Sequence, residues 1–153
     1  MIDRRTLLFA LAAAAAVPGR ALASPARVTY TDAEWRSRLS PAAYDVLRHD
    51  GTEVPFSSPL DHEKRAGTYV CAGCALPLYA SKTKYDSGTG WPSFWAPLPN
   101  AIVLRSDSSL MMERTEVRCA QCDGHLGHVF DDGPPPTGKR YCMNGVALTF
   151  KPA

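Results

Sequence analysis

Five cysteines carry most of the chemistry this sequence can offer, and four of them fall into pairs, Cys71-Ala-Gly-Cys74 and Cys119-Ala-Gln-Cys122. Each CxxC pair can present two thiolates to one ion from a tight turn, and together the pairs complete a tetrahedral four-sulfur zinc site. About 45 residues separate them, well beyond the ~15–20 of a compact zinc ribbon, so such a metal would tie together two distant hairpins. The competing reading is a pair of redox disulfides. A redox CxxC normally opens a helix after a strand, whereas both of these sit in turn-like surroundings. Cys142 is left over, in the stretch Lys139-Arg140-Tyr141-Cys142-Met143-Asn144-Gly145. A nearby cation favours the thiolate, the reactive form, which makes Cys142 a candidate nucleophile beside Arg140. Read as a strand, the stretch sends Arg140, Cys142 and Asn144 to one face. Taken alone, Cys142 is equally well explained as a buried strand cysteine behaving as a small hydrophobe.

Two further stretches bear on that choice. Gly88-Thr89-Gly90-Trp91-Pro92-Ser93-Phe94-Trp95 gathers aromatic rings in a glycine-bounded loop, where they can either wall an apolar pocket or fill the core. Asp123-Gly124-His125-Leu126-Gly127-His128 places two imidazoles directly behind the second cysteine pair. Histidine is the usual acid or base beside a nucleophilic cysteine at neutral pH. The alternative for these rings is extra metal ligation, although four thiolates already saturate a structural zinc site.

The elements that must position these groups can be read in outline. A chain of 153 residues, 45% hydrophobic and 21% charged, suits one domain able to bury roughly two thirds of its unfolded surface. Its net charge of +2 and the lack of a basic run interleaved with aromatics argue against nucleic acid. Arg4-Arg5, an uncharged run from Leu7 to Val17 and then Ala21-Leu22-Ala23 form a bacterial export signal of twin-arginine type, with cleavage expected after Ala23. The run is too short to span a bilayer, which takes about 20 apolar residues. The expected organisation is therefore a leader over residues 1–23 and a domain over 24–153, exported to the periplasm or beyond and free of the membrane after cleavage. Twin-arginine export carries folded proteins, so zinc can be loaded before the oxidising compartment is reached.

In the domain, Thr31-Asp32-Ala33-Glu34 has the form of a capping box and Ser40-Pro41 of a second helix start, predicting two short helices. His49 and His62 read as solvated. Past Pro59, short apolar runs broken by Gly, Pro, Asn and Asp predict an antiparallel sheet domain. Strands are expected at 68–70, 76–79, 102–105, 111–117, 128–130, 140–144 and 146–150. In the 111–117 strand, the set Met112, Arg114, Glu116 and Arg118 is expected to face water at least in part. Residues 133–138, with three consecutive prolines, must form a loop.

The two CxxC pairs, GTGWPSFW, DGHLGHVF and RYCMNG, in this order, resemble the B-type methionine-R-sulfoxide reductases, from about Ala33 to Phe150. The resemblance implies a mainly β fold of two antiparallel sheets with short N-terminal helices, clipped by one structural zinc on Cys71, Cys74, Cys119 and Cys122. It implies reduction of methionine-R-sulfoxide, free or in oxidised proteins, as protein repair under oxidative stress. Cys142 would be the nucleophile, passing through a sulfenic acid. His125, His128 and Asn144 would bind, polarise and protonate the sulfoxide oxygen, Arg140 would favour the thiolate, and Trp91 with Phe94 would hold the substrate. Many relatives carry a resolving cysteine where this chain has Thr89, so an external thiol reductant, such as a thioredoxin-like protein, is expected to restore Cys142. A monomer is expected. Two other classes stay open from the residues: a non-catalytic zinc-ribbon-like binding module, and a rubredoxin-like electron carrier with iron in the four-thiolate site.

Overall fold

In the computed structural model, which describes residues 24–109 and 112–153, the first two elements are helices because the sequence supplies their caps. The Glu34 N–H donates to the Thr31 hydroxyl and the Thr31 N–H to the Glu34 carboxylate, 3.3 and 2.7 Å, starting α1 (Asp32–Arg38). Ser40 caps α2 (Pro41–His49), which ends on Asp50 in the left-handed region at φ 57°. Trp35 from α1 and Ala43, Tyr44, Val46 and Leu47 from α2 are buried against the sheets. The leader expected over residues 1–23 lies outside the described residues. Among those described, no helix is long and apolar enough to cross a membrane.

Nine strands follow among the described residues: β1 (Gly67–Cys71), β2 (Pro77–Ala80), β3 (Lys84–Tyr85), β4 (Ser93–Phe94), β5 (Ile102–Asp107), β6 (Arg114–Cys119), β7 (His125–Phe130), β8 (Arg140–Met143) and β9 (Leu148–Pro152). They form a three-stranded sheet ordered β2-β1-β9 and a six-stranded sheet ordered β3-β4-β8-β7-β6-β5, with every pairing antiparallel. The expected mainly β fold of two antiparallel sheets with short N-terminal helices is the one found. The two-residue strands β3 and β4 were not expected, because an alternation of period two cannot show itself in two residues. Between the sheets, Tyr79 stacks on Phe94 with ring centroids 4.3 Å apart, and Tyr69, Leu78, Leu126 and Met143 complete a fully buried centre.

Of the set expected to face water at least in part, Met112 is 58% exposed and the Arg114 side chain 21%, but the end toward Cys119 is covered: Glu116 is 9% exposed and the Arg118 side chain 11%. Val117, on the other face, is fully buried, so both faces of β6 are covered there. Charged side chains stay inside because they pair: Arg118 Nη1 donates to Glu116 Oε1 at 2.6 Å and to Asp50 Oδ1 at 2.9 Å.

Register decides what lies beside Cys142. Ser93 on β4 and His128 on β7 are its direct cross-strand neighbours, and Glu116 on β6 stands opposite His128. One row across four strands therefore reads Ser93, Cys142, His128, Glu116. Within β7, the pairs Val117–Gly127 and Arg118–His125 leave Leu126 as one extra residue, a bulge. Gly127 has φ +155°, and a Cβ there would meet the Cys142 carbonyl oxygen at 2.1 Å. Gly127→Ala is expected to lower stability by about 3 kcal/mol or to prevent folding, read as the midpoint of urea unfolding.

Candidate active site

The four paired cysteines meet in space. Cys71 ends β1 of the small sheet and Cys119 ends β6 of the large one. Each pair sits in a turn of the same build: the Ala75 N–H bonds the Cys71 carbonyl at 2.8 Å and the Asp123 N–H bonds that of Cys119 at 3.0 Å. Ala75 and Asp123 both adopt positive φ, 60° and 57°. The four sulfurs lie within 4.8 Å of one another, with Cys71–Cys122 at 3.6 Å and Cys74–Cys119 at 3.5 Å. Tetrahedral zinc with bonds of ~2.3 Å requires sulfurs about 3.8 Å apart, so the cluster fits a structural zinc ion. None of the four is in a disulfide.

Directly behind the second turn, β7 begins. In a regular strand, residues 125 and 128 would point to opposite faces. The Leu126 bulge and the Gly127 conformation bring the rings of His125 and His128 to 5.3 Å. A carboxylate holds each ring. His125 Nδ1 lies 2.6 Å from Glu116 Oε1 and His128 Nε2 lies 2.7 Å from Asp107 Oδ2. Carboxylates only accept, so those nitrogens carry the hydrogens, leaving the opposite nitrogens facing elsewhere. His125 Nε2 is buried without a protein partner. Burial pushes the His125 pKa down, against the pull of Glu116, and keeps the ring neutral. Asp107 is held well below the usual carboxylate range by Ser109 and His128, and Arg114 Nη2 donates to it at 2.7 Å.

The bulge serves Asn144 as well. The Leu126 carbonyl accepts from the Asn144 N–H at 2.8 Å and from its Nδ2 at 3.1 Å. Asn144 is not part of β8, which ends at Met143, but leads into the short 3-10 turn Gly145–Ala147. Glu53 supports this turn from the far side. Its carboxylate accepts from the Gly145 and Val146 N–H groups at 2.6 and 2.9 Å, its own N–H donates to Asn144 Oδ1 at 2.9 Å, and its carbonyl accepts from Trp91 Nε1 at 3.3 Å. One residue thus fixes both an amide and an indole. The sequence held no sign of it, because Glu53 lies 38 residues before Trp91 and more than 90 before the Asn144 turn, in a stretch with no regular structure.

Cys142, His128, Asn144 and Trp91 line one open cavity of about 140 Å³, together with Thr52, Arg114, Gly127 and Phe130. His125 faces the adjoining polar recess shared by Asp107, Arg114, Glu116 and His128. Arg140 stays beside the cavity, paired with Asp132 at 2.9 Å and stacked 4.3 Å from the centre of Phe130. Phe94 is placed differently from the expectation of substrate contact. It is fully buried between Tyr69 and Tyr79, because on β4 it points away from Ser93 and into the space between the sheets. Burial pushes the Cys142 thiol up, opposed by the Thr89 hydroxyl at 3.8 Å, by Arg140 and by Ser93. The cation acts in the expected direction, and burial outweighs it.

A thiol, an imidazole, an amide and an indole around one small cavity, with a second imidazole in the adjoining recess, suit transfer of an oxygen to sulfur. A family model described as the SelR domain matches residues 39–152. Among curated proteins, the chain is 58% identical over 127 residues to a peptide methionine sulfoxide reductase MsrB of Pseudomonas putida strain W619, covering 82% of this chain and 96% of that one. It is 52% identical over 132 residues to the MsrB of Agrobacterium fabrum, covering 86% and 97%. To that of Leptospira interrogans it is 50% identical over 125 residues, covering 81% and 95%. With its four cysteines clustered and its fifth set against His128, the chain belongs to the SelR family, that of the MsrB peptide methionine sulfoxide reductases.

Proposed function

We propose that this protein reduces methionine-R-sulfoxide to methionine through a sulfenic acid on Cys142. The observation that carries the reading is the direct pairing of Cys142 with His128 across β7 and β8, at the wall of a cavity also lined by Trp91 and Asn144. The Cys142 sulfur bonds to the sulfoxide sulfur as the sulfoxide oxygen takes up a proton. Collapse leaves the oxygen on Cys142, so thiol plus sulfoxide become sulfenic acid plus thioether and the electrons balance. His128, with its Nε2–H given to Asp107, has a bare Nδ1 that takes the Cys142 thiol proton and passes it to the sulfoxide oxygen. His125, neutral and with Nε2 unpaired, accepts a hydrogen bond from a water that in turn donates to the sulfoxide oxygen. Asn144 adds a polar contact, and Trp91 covers the S-methyl group. Having the apolar wall on one side and the polar groups on the other selects one epimer.

Burial keeps Cys142 largely protonated at rest, so attack depends on Thr89, Ser93 and Arg140 favouring the thiolate and on protonation of the departing oxygen. Zinc on Cys71, Cys74, Cys119 and Cys122 would serve structure, holding the two sheets in register around the site. With those thiols engaged and Thr89 at the position of a resolving cysteine, an external thiol forms a mixed disulfide with Cys142 and releases water. A second thiol then frees Cys142. Nothing in the site favours the electron carrier or the binding module.

Cys142→Ser is expected to lose reduction entirely while keeping its zinc, assayed with separated R and S epimers and metal analysis. Mass spectrometry after one turnover without reductant should show one added oxygen; an internal disulfide to Cys142 would refute the single-cysteine cycle. Glu53→Ala removes two charge-assisted bonds worth about 1.5–3 kcal/mol each and should lower kcat/KM about 10- to 100-fold, with Glu53→Gln intermediate. Export by the twin-arginine leader should leave Ser24 as the first residue of zinc-loaded periplasmic protein, and material that retains Met1 would contradict it.

A further inference from the structure

Arg114 and His128, both bonded to Asp107, line the cavity together with Trp91 and Thr52. From Thr52 the chain runs directly into Glu53, Val54, Pro55 and Phe56. Val54 is 70% exposed and Phe56 64% exposed, the largest values among the big hydrophobic side chains described. This exposure is built in. Glu53 is tied to the Asn144 turn, Ser57 N–H and hydroxyl both bond the Val54 carbonyl, and the Phe56 N–H donates to the Gly90 carbonyl at 2.7 Å. Phe56 itself holds φ +62°, at a turn position following proline where glycine is the usual residue. A bulky side chain in that conformation is unfavourable and persists only where its surroundings enforce it.

The ring lies against Gly90, where an added Cβ would meet it at 2.8 Å. Gly90 directly precedes Trp91, so the exposed Phe56 and Val54 stand next to the segment that delivers the indole to the cavity. The cavity, at about 140 Å³, is well under the ~300–1,000 Å³ of sites that enclose a whole small ligand. It has room for the end of one side chain. A sulfoxide carried by a polypeptide therefore leaves its backbone and neighbouring side chains on the rim.

We propose that Val54 and Phe56 form a docking platform for apolar side chains next to a methionine sulfoxide in an unfolded polypeptide, so that oxidised sites with apolar neighbours are selected. The proposal rests on the reductase reading above. Such neighbours gain by leaving water on a surface that is already fixed, and a side chain half covered in this way is worth about tenfold in apparent affinity. Free methionine sulfoxide, with no neighbours, does not use the platform.

The test compares free methionine-R-sulfoxide with two peptides, one flanking a single methionine-R-sulfoxide with leucine and phenylalanine, the other with glycine and serine. The protein should favour the apolar peptide by about tenfold in kcat/KM, through KM. Val54→Ser, Phe56→Gly and the double variant should lose that preference and reduce free substrate as before. Phe56→Gly removes the ring while relieving the left-handed backbone, so it should fold at least as well as the parent. Equal turnover of the peptides by the parent protein, or a preference that survives in the double variant, overturns the platform. So does a self-association, seen by sedimentation, that the same variants abolish, because the face would then belong to a second copy. Failure of the parent to reduce any of the three substrates would instead remove the reductase reading.

Discussion

The register between β7 and β8 is the constraint on which the site depends. It sets His128 opposite Cys142, and through β6 it brings Glu116 into the same row. A slip of one residue would send every side chain of β8 to the other face, turning the thiol into the space between the sheets. Gly127 holds this register from below, because any side chain there would collide with the Cys142 carbonyl. Leu126, as the extra residue, breaks the alternation where two histidines three apart must share one face, and its carbonyl secures Asn144.

The cysteine cluster acts on the site at a distance. Asp123, closing the second turn, gives its carbonyl to Arg118 Nε at 2.9 Å. Arg118 holds Glu116, and Glu116 holds His125. The orientation of an imidazole is thus continuous with the turn that a metal would fix. Arg48 on α2 bonds the Cys122 carbonyl at 3.1 Å, so the helices are tied to the same turn. These charges are buried because each has a partner, and removing one would strand the other in a poor solvent for charge.

The thiol shows two effects in opposition. Burial disfavours its charged form, and the hydroxyls of Thr89 and Ser93 with the Arg140 guanidinium favour it. Arg140 is itself engaged by Asp132, so its influence on the sulfur is a shared one. Such a balance leaves the resting cysteine protected, which suits a group meant to be oxidised only by its substrate.

Much of the fold was legible in the chain because its signals are local. Capping residues fix helix starts by bonds spanning three residues, alternation fixes the longer strands, and CxxC spacing fixes a tight turn that presents two thiols together; the helices, the two-sheet architecture, the cysteine cluster and the gathering of Cys142, His128, Asn144 and Trp91 all follow the expectation. What failed was non-local. Phe94 sits in a motif beside Trp91, yet a two-residue strand turns it inward. Glu116 and Arg118 read as a wetted face until Asp50 and His125 are brought over them. Glu53 lies in a loop with no period and acquires its role only when residues 144–146 are folded against it. The sequence by itself determined which residue types stand ready for thiol chemistry and where the chain turns. Tertiary structure alone decided which carboxylate faces which imidazole and which aromatic ring meets the cavity, because burial and pairing depend on contacts between segments that the chain's local order does not encode.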